Sequence, residues 1–249
     1  MTPAITPRIL AATAARILRQ LTHDPRSIAM LVALPVVLMT FLYFMFDGAQ
    51  PLISNLLLIM LGIFPLVAMF LITSVAMLRE RTSGTLERLM TTPSGKLDLL
   101  FGYGISFGIA AAVQGLVAAG CAYWFFSMST AGSAWLTVLV AILGGLLGMS
   151  LGLVSSAFAR TEFQAVQMFQ IVVIPQSLLC GLFVPRADMA TWLHVLSDLM
   201  PLTYVVEALQ QIGAHAEPSA ILWRDAGIVA GCVLLALGLA SATLRRRTA

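Results

Sequence analysis

Long stretches without a charged residue constrain this chain more than any other feature of its sequence. The longest covers residues 99–159, and the others cover residues 27–46, 52–78, 163–185 and 226–244. A bilayer's hydrocarbon layer requires a helix of about 20 apolar residues. Because 59% of the 249 residues are hydrophobic and 10% are charged, the apolar surface exceeds what one soluble core could bury. The sequence therefore predicts an all-α integral membrane protein.

The stretch over residues 99–159 is too long for one crossing. A cluster of small polar residues at 127–133 divides it, as is typical of a turn. The division predicts one transmembrane domain with six spans, whose approximate bounds are residues 27–46, 52–78, 99–126, 134–159, 163–185 and 222–244. Glycines at helix-packing spacing favour close contacts between spans of one protomer. They are Gly104 and Gly108 in the third span, Gly144, Gly148 and Gly152 in the fourth, and Gly227 and Gly231 in the sixth.

An amphipathic helix is predicted over residues 7–22, ahead of the first span. Arginines lie on one side of it and apolar residues on the other. We expect this helix to lie in the membrane interface, with its arginines facing anionic headgroups. A plain basic tail is the alternative. The two sets are Arg8, Arg16 and Arg19, and Leu10, Ala14, Ile17, Leu18 and Leu21.

The distribution of basic residues predicts the orientation of the spans. If the N-terminus is inside, 12 of the 14 lysines and arginines fall on the inner side, and only Arg186 and Arg224 fall outside. Positive charge marks the cytoplasmic side. We therefore expect a multi-pass protein of the plasma (inner) membrane with both termini cytoplasmic, and the net charge of +3 does not indicate nucleic-acid binding. The outer segment, residues 186–221, is predicted to contain two short helices interrupted at Pro201.

Amide side chains interrupt two of the apolar stretches. Gln167 and Gln170 share a face of the fifth span, whose first turn also carries Gln164, and Asn55 lies in the second span. Amides in hydrocarbon are costly unless they find partners or water. These residues therefore predict a face that contacts protein or a wet cavity, and contacts between helices explain them about as well as a substrate pathway does.

The sequence does not favour an enzyme. Two strings match the G-x-S-x-G motif of hydrolases, around Ser106 and Ser150, but both lie inside apolar stretches, and all three histidines fall outside the spans. The histidines share no metal-ligand spacing with the cysteines, so no metal site is expected. The phosphate-binding loop of nucleotide hydrolases is also absent. This chain is therefore expected to bind no cofactor and to hydrolyse no ATP.

One charged segment, residues 79–98, lies between the second and third spans. Within it, Thr82 or Ser83 can cap a helix, and Pro93 can end it. Leu86, Leu89 and Met90 would form its apolar face, with Glu87 and Arg88 beside it. The pattern predicts a short helix lying on the cytoplasmic surface, where a protein in the water could push it.

Three strings of this sequence resemble the membrane subunits of type-2 ATP-binding-cassette exporters. The first, RERTSGTLERLMTTP, covers residues 79–93 and precedes a new span. The others are GLFVP at residues 181–185 and MPLTYVVEAL at residues 200–209, with Trp192 and Leu193 between them. Together with the order and spacing of these strings, the resemblance extends over essentially the whole chain.

The resemblance implies a permease that dimerises and that receives force from separate ATPase subunits, which hold the Mg-ATP. The second permease subunit would be identical or homologous to the first. The coupling helix of the family matches residues 82–90, and the residues that carry the match are Thr82, Gly84, Leu86, Glu87, Arg88, Leu89 and Met90. The second and fifth spans of the family line the export path, which implies Asn55, Gln167 and Gln170 here. The cargo would be an amphipathic drug, lipid or glycan-type molecule.

A secondary transporter and a structural membrane protein are the alternatives to an ATP-driven exporter subunit. A self-sufficient secondary transporter would often show an internal repeat and carboxylates deep in its spans, and neither is visible here. A structural membrane protein would leave the charged segment over residues 79–98 without a purpose.

Overall fold

The computed structural model describes Ala12, residues 14–19, His23, and residues 29–46, 49–83 and 96–243. Across these residues the regular structure is helical, without strands. After the N-terminal segment, the α-helices are α1 (Leu34–Met45), α2 (Gln50–Thr82), α3 (Lys96–Trp124), α4 (Ala134–Ser155), α5 (Glu162–Val172), α6 (Ile174–Leu179), α7 (Thr191–Asp198), α8 (Pro201–Ala214) and α9 (Ala220–Thr243). The prediction of an all-α membrane protein is confirmed.

Among the described residues, four helices are long and apolar enough to cross a membrane. They lie over Leu52–Thr82, Gly102–Trp124, Ala134–Ser155 and Ala220–Thr243, at the predicted second, third, fourth and sixth spans. The first predicted span contains a π-helical turn, Ala29–Ala33, followed by the 12-residue α1. The count of six crossings therefore stays a prediction.

The fifth predicted span is divided at Val173 into α5 and α6. Pro175 follows at once and lacks the N–H that a continuous helix would use. In a continuous helix that N–H would pair with the carbonyl of Ile171. Beside it, the side-chain Nε2 of Gln176 donates to the carbonyl of Val172 at 2.6 Å. Gln176 is buried, and its Oε1 accepts from the backbone N–H of Leu202 at 3.3 Å. A buried amide thus joins the break in the span to the first turn of α8.

The charged segment is shorter than its predicted bounds of 79–98. Helix α2 continues to Thr82, and α3 already begins at Lys96. Residues 79–82 and 96–98 therefore lie on helices and not in a loop. Arginine, glutamate and lysine are good helix formers, so the helices extend beyond the apolar stretches that predicted them.

Helix α2 lies at the centre of the bundle and packs closely against α4. A Cβ atom on Gly148 would lie 2.1 Å from the carbonyl oxygen of Leu66, and one on Gly152 would lie 2.7 Å from that of Phe70. Only glycine permits this approach, as in other membrane helix pairs. The predicted packing within the protomer is confirmed for the fourth span. In the sixth span, Gly227 and Gly231 have nothing within 4 Å of such an atom.

The outer segment contains the two predicted short helices, α7 and α8, and α8 forms part of the core. Its apolar face is buried, including Leu202, Val206 and Leu209. It packs against α2, α4 and α9. A Cβ atom on Gly62 of α2 would lie 3.1 Å from the Cγ2 methyl of Val206. The segment is therefore built into the bundle.

The described part of the N-terminal segment, residues 14–19, is helical and packs on the bundle. Ala14 and Ile17 are buried, and the hydroxyl of Ser106 donates to the carbonyl of Ala14 at 3.1 Å. Arg16 Nη2 donates to Glu80 Oε1 at 3.3 Å and to the hydroxyl of Tyr103 at 3.1 Å. Arg16 thus pairs with a carboxylate of α2, and the position of this helix in the membrane interface stays a prediction.

We expect the substitution Gly148→Ala to destabilise the protein. Its new methyl would overlap the carbonyl of Leu66, so α2 and α4 would have to separate, and overpacking of this kind costs about 1–3 kcal/mol. The measurement is the thermal unfolding midpoint in detergent. Gly231→Ala is the matched control, because it adds the same methyl to a span where nothing lies within 4 Å. Equal midpoints for the two variants would contradict the packing argument.

Candidate functional site

Three consecutive charged residues at the end of α2 each contact a different part of the molecule. Arg79 donates to the carboxylate of Glu162 at the start of α5, and Glu80 accepts from Arg16. Arg81 Nη2 donates to the hydroxyl of Thr243 at the end of α9, at 3.2 Å. Successive helical residues point about 100° apart, which is why three neighbours along the chain reach three directions. We call Arg79, Glu80 and Arg81 the charged triplet.

The contact between Arg79 and Glu162 is bidentate. Arg79 Nε lies 2.7 Å from Glu162 Oε1, and Nη2 lies 3.2 Å from Oε2. The hydrogen bond from Arg79 lowers the pKa of Glu162 below its ordinary value, so this carboxylate is charged at neutral pH. The side chains of Arg79 and Glu162 are 60% and 55% exposed, whereas that of Glu80 is 12% exposed. The triplet thus combines one open ion pair with one that is largely enclosed.

The start of α5 is held by its own caps. The hydroxyl of Thr161 accepts from the N–H of Gln164 at 3.2 Å, and Gln164 Oε1 accepts from the N–H of Arg160 at 2.8 Å. Such side chains satisfy the amide groups that a helix N-terminus leaves unpaired. Glu162 also lies in the first turn, where a negative charge is favourable. Local interactions therefore fix the position of the carboxylate that Arg79 contacts.

Two of the predicted pathway residues, Gln167 and Gln170, lie together on an exposed face of α5. Their neighbours Phe163 and Ile171 are exposed as well. Because amides next to lipid tails would be costly, this face requires cover from protein or water. The sequence predicts that this face contacts protein or a wet cavity, and its exposure within one protomer is consistent with either contact.

The third predicted pathway residue, Asn55, lies elsewhere. It is near the start of α2, where Gln210 Nε2 donates to its Oδ1 at 3.4 Å. Helix α5 contacts α2 much further along, since the rings of Phe70 and Phe169 are 6.2 Å apart. Fifteen residues of helix separate Asn55 from Phe70, a rise of about 22 Å. The structure therefore does not bring Asn55 together with Gln167 and Gln170 in one protomer.

Thr82 is the last residue of α2. Its hydroxyl donates back to the carbonyl of Leu78 at 3.0 Å, a bond that mid-helix and terminal threonines often make. Thr82 therefore belongs to the last turn of α2, and its role in coupling stays a prediction. The other coupling residues, namely Gly84, Leu86, Glu87, Arg88, Leu89 and Met90, lie outside the described residues.

The serines of the two hydrolase-like strings bond to their own helices. Ser106 donates to the carbonyl of Gly102 at 2.7 Å, and Ser150 to that of Leu147 at 2.8 Å. Both are fully buried. This is ordinary behaviour for serine inside an apolar helix, and it explains the strings without a nucleophile.

A second charged cluster, which the sequence analysis missed, joins the outer helices. Arg186 contacts the carboxylates of Asp198 and Glu207, and Arg224 contacts Glu207 at 3.4 Å and Asp225 at 2.8 Å. Asp225 is fully buried. We call these five residues the outer cluster. The sequence contains one signal for this cluster. Arg186 and Arg224, the two arginines predicted to lie outside, fall in a segment rich in acidic residues.

Comparisons with known proteins agree on one family. The profile of the ABC-2 type transporter family matches residues 9–213. The chain is 26% identical over 159 residues to a protein of Escherichia coli K12 named probable multidrug ABC transporter permease YbhR, which covers 64% of this chain and 43% of that protein. It is 29% identical over 141 residues to ABC transporter G family member 20 of Dictyostelium discoideum, covering 57% and 19%.

A third relative is the inner membrane transport permease YhhJ of Escherichia coli K12. The identity is 27% over 183 residues, which covers 73% of this chain and 44% of the relative. The chain thus spans less than half the length of these relatives.

We expect Arg224→Met to destabilise the protein, because it leaves the buried carboxylate of Asp225 without its cation. An unsatisfied buried acceptor costs about 1–3 kcal/mol. Replacing both residues, as Arg224→Met with Asp225→Leu, should recover much of the loss, since no buried charge is then unpaired. Thermal unfolding in detergent measures both variants, with the exposed Asp188→Asn as control. A double variant that is less stable than Arg224→Met would argue against the cluster.

Proposed function

The chain belongs to the ABC-2 type transporter family and is a multi-pass membrane permease subunit, and from this premise we propose that it forms the translocation pathway of an ATP-driven exporter. In this proposal a separate cytoplasmic ATPase binds and hydrolyses Mg-ATP. The permease receives the resulting motion through residues 82–90. Both termini lie in the cytoplasm, and the membrane is the plasma (inner) membrane.

The observation that carries the proposal is the charged triplet. It immediately precedes the predicted coupling helix and contacts α5, the N-terminal helix and α9. A force applied after Thr82 would therefore reach three elements through one rigid helix end. This arrangement gives the charged segment a mechanical role, which a secondary transporter driven by an ion gradient would not require.

The pathway is proposed to use the exposed face of α5, with Gln167 and Gln170. A second permease subunit, identical or homologous, would enclose this face, and its own helices would complete the pathway. Asn55 would contribute at a different depth along α2. A surface of amides and aliphatic groups suits an amphipathic drug, lipid or glycan-type substrate, and one relative is named a probable multidrug permease.

The test of coupling is the double substitution Leu86→Asp and Leu89→Asp. We expect it to abolish both ATPase association and export, because charging a buried anchor typically costs at least ~2 kcal/mol. Membrane insertion should be normal, since the changes lie outside the spans. The measurements are pull-down of the ATPase and efflux of an amphipathic dye such as ethidium from the same cells.

The matched control for this test is Leu196→Asp with Leu199→Asp. These leucines have the same spacing and are exposed, with Leu196 in α7 and Leu199 directly after it. They should leave ATPase association unchanged. Retained association and full efflux in the Leu86 and Leu89 variant would rule out coupling through residues 82–90.

A second test concerns the pathway. Gln167→Leu with Gln170→Leu should change dye efflux or dye-stimulated ATP hydrolysis by several-fold, since each lost hydrogen bond is worth about 1 kcal/mol. Assembly with the ATPase should persist. Val166→Leu with Ile171→Leu is the control, because it alters exposed apolar residues of the same helix. Unchanged transport of every tested dye in the glutamine variant would make this face structural.

A further inference from the structure

Helix α5 is weakly held at one end and firmly held at the other. We infer that Arg79 and Glu162 form a latch that holds α5 against α2 at the inner mouth of the pathway, and that motion of the coupling segment releases it. The inference rests on the proposed function. It assigns a positioning role to two residues that the sequence analysis did not place in the pathway.

The packing of α5 is the first observation. Ala165 is its one buried residue, and the helix packs mainly against α2 and α6. Together with Leu78, Ala159 and the partly buried Val75, Ala165 forms a small apolar cluster separate from the two larger cores. So small a contact gives the first turns of α5 little hydrophobic attachment, whereas Met168, Phe169 and Val172 near its other end pack against the larger core.

The break at Val173 is the second observation. On the other side of this break, α6 is fixed by a buried hydrogen bond from the N–H of Leu202 to Gln176 Oε1 at 3.3 Å. The hydroxyl of Ser197 adds a further bond to the carbonyl of Leu179 at 2.9 Å. Breaks at proline allow a helix to bend. A rotation at Val173 would therefore move α5 and leave α6 in place.

The exposure of the ion pair is the third observation. Both side chains of the latch are more than half exposed, and exposed pairs contribute little net stability. Such a contact can break and re-form in every cycle. The pair between Arg16 and Glu80 is more enclosed, with exposures of 33% and 12%. The N-terminal helix thus stays with α2 while α5 is the element that can be released.

The location of the latch connects these observations to coupling. Arg79 lies three residues before Thr82 on one continuous helix, a rise of about 4.5 Å. Movement of the coupling segment therefore displaces the guanidinium relative to Glu162. Release of α5 would move the face that carries Gln167 and Gln170, which lie one and two turns after Glu162.

Charge reversal tests the latch in the purified complex of permease and ATPase, reconstituted in vesicles with ethidium as the probe. Arg79→Glu and Glu162→Arg should each lower the ethidium exported per ATP hydrolysed about fivefold, which corresponds to ~1 kcal/mol. The exchanged pair, with both substitutions, should restore most of the ratio. Asp188→Arg is the control for reversing an exposed charge elsewhere.

This ratio separates a latch from a merely structural contact. A structural defect would lower hydrolysis and export together and leave the ratio unchanged. Single variants with the normal ratio, or an exchanged pair that is as poor as the single variants, would overturn the latch alone. If the chain without substitutions binds no ATPase and exports no ethidium, the proposed function is wrong, and the latch, which rests on that function, is wrong as well.

Cross-linking gives a second measurement. After replacement of Cys121, Cys180 and Cys232 by serine, the pair Leu78→Cys and Ala165→Cys joins α2 to α5 within their shared cluster. We expect oxidation to stop ethidium export while the ATPase stays bound, and reduction to restore export. Full export by the oxidised complex, or failure of the resting complex to cross-link, would each overturn the latch.

Discussion

The contact between α2 and α4 is the interaction on which the rest of the structure depends. Gly148 and Gly152 allow the backbone of α4 to lie directly on the carbonyl groups of Leu66 and Phe70. In a membrane, burial between helices gives apolar side chains little hydrophobic free energy, because lipid tails are equally apolar. The close approach of the two backbones therefore supplies the packing energy. A central helix held this firmly can carry force along its length. Its two ends then become the places where other elements attach.

Polar groups divide the molecule into parts that are fixed and a part that can move. The outer cluster and the buried side chains of Gln176 and Ser197 join α6, α7, α8 and α9. At the other end of α2, the enclosed contact between Arg16 and Glu80 holds the N-terminal helix. Buried polar groups must stay paired because an unpaired one is costly. Exposed pairs carry no such penalty, and the contact between Arg79 and Glu162 is of this kind.

The chain belongs to the ABC-2 type transporter family. In the proposed function, a separate ATPase moves the surface of this permease, and that motion has to be converted into a change in the spans. The charged triplet connects that surface to three helices within one helical turn. Coupling in allosteric proteins requires an element with two arrangements that both sites can bias. In this chain, α5 meets that description better than the tightly packed helices around it.

The sequence by itself determined the membrane class, four long spans, the two outer helices and the family, because hydrophobicity and helix periodicity are local properties. Tertiary structure decided which glycines pack, since Gly148 meets another backbone and Gly231 meets nothing. It also decided that Asn55 lies far from Gln167, and that Arg79 meets Glu162, 83 residues away. Helix crossing points set these contacts, and spacing along the chain carries no information about where two helices cross.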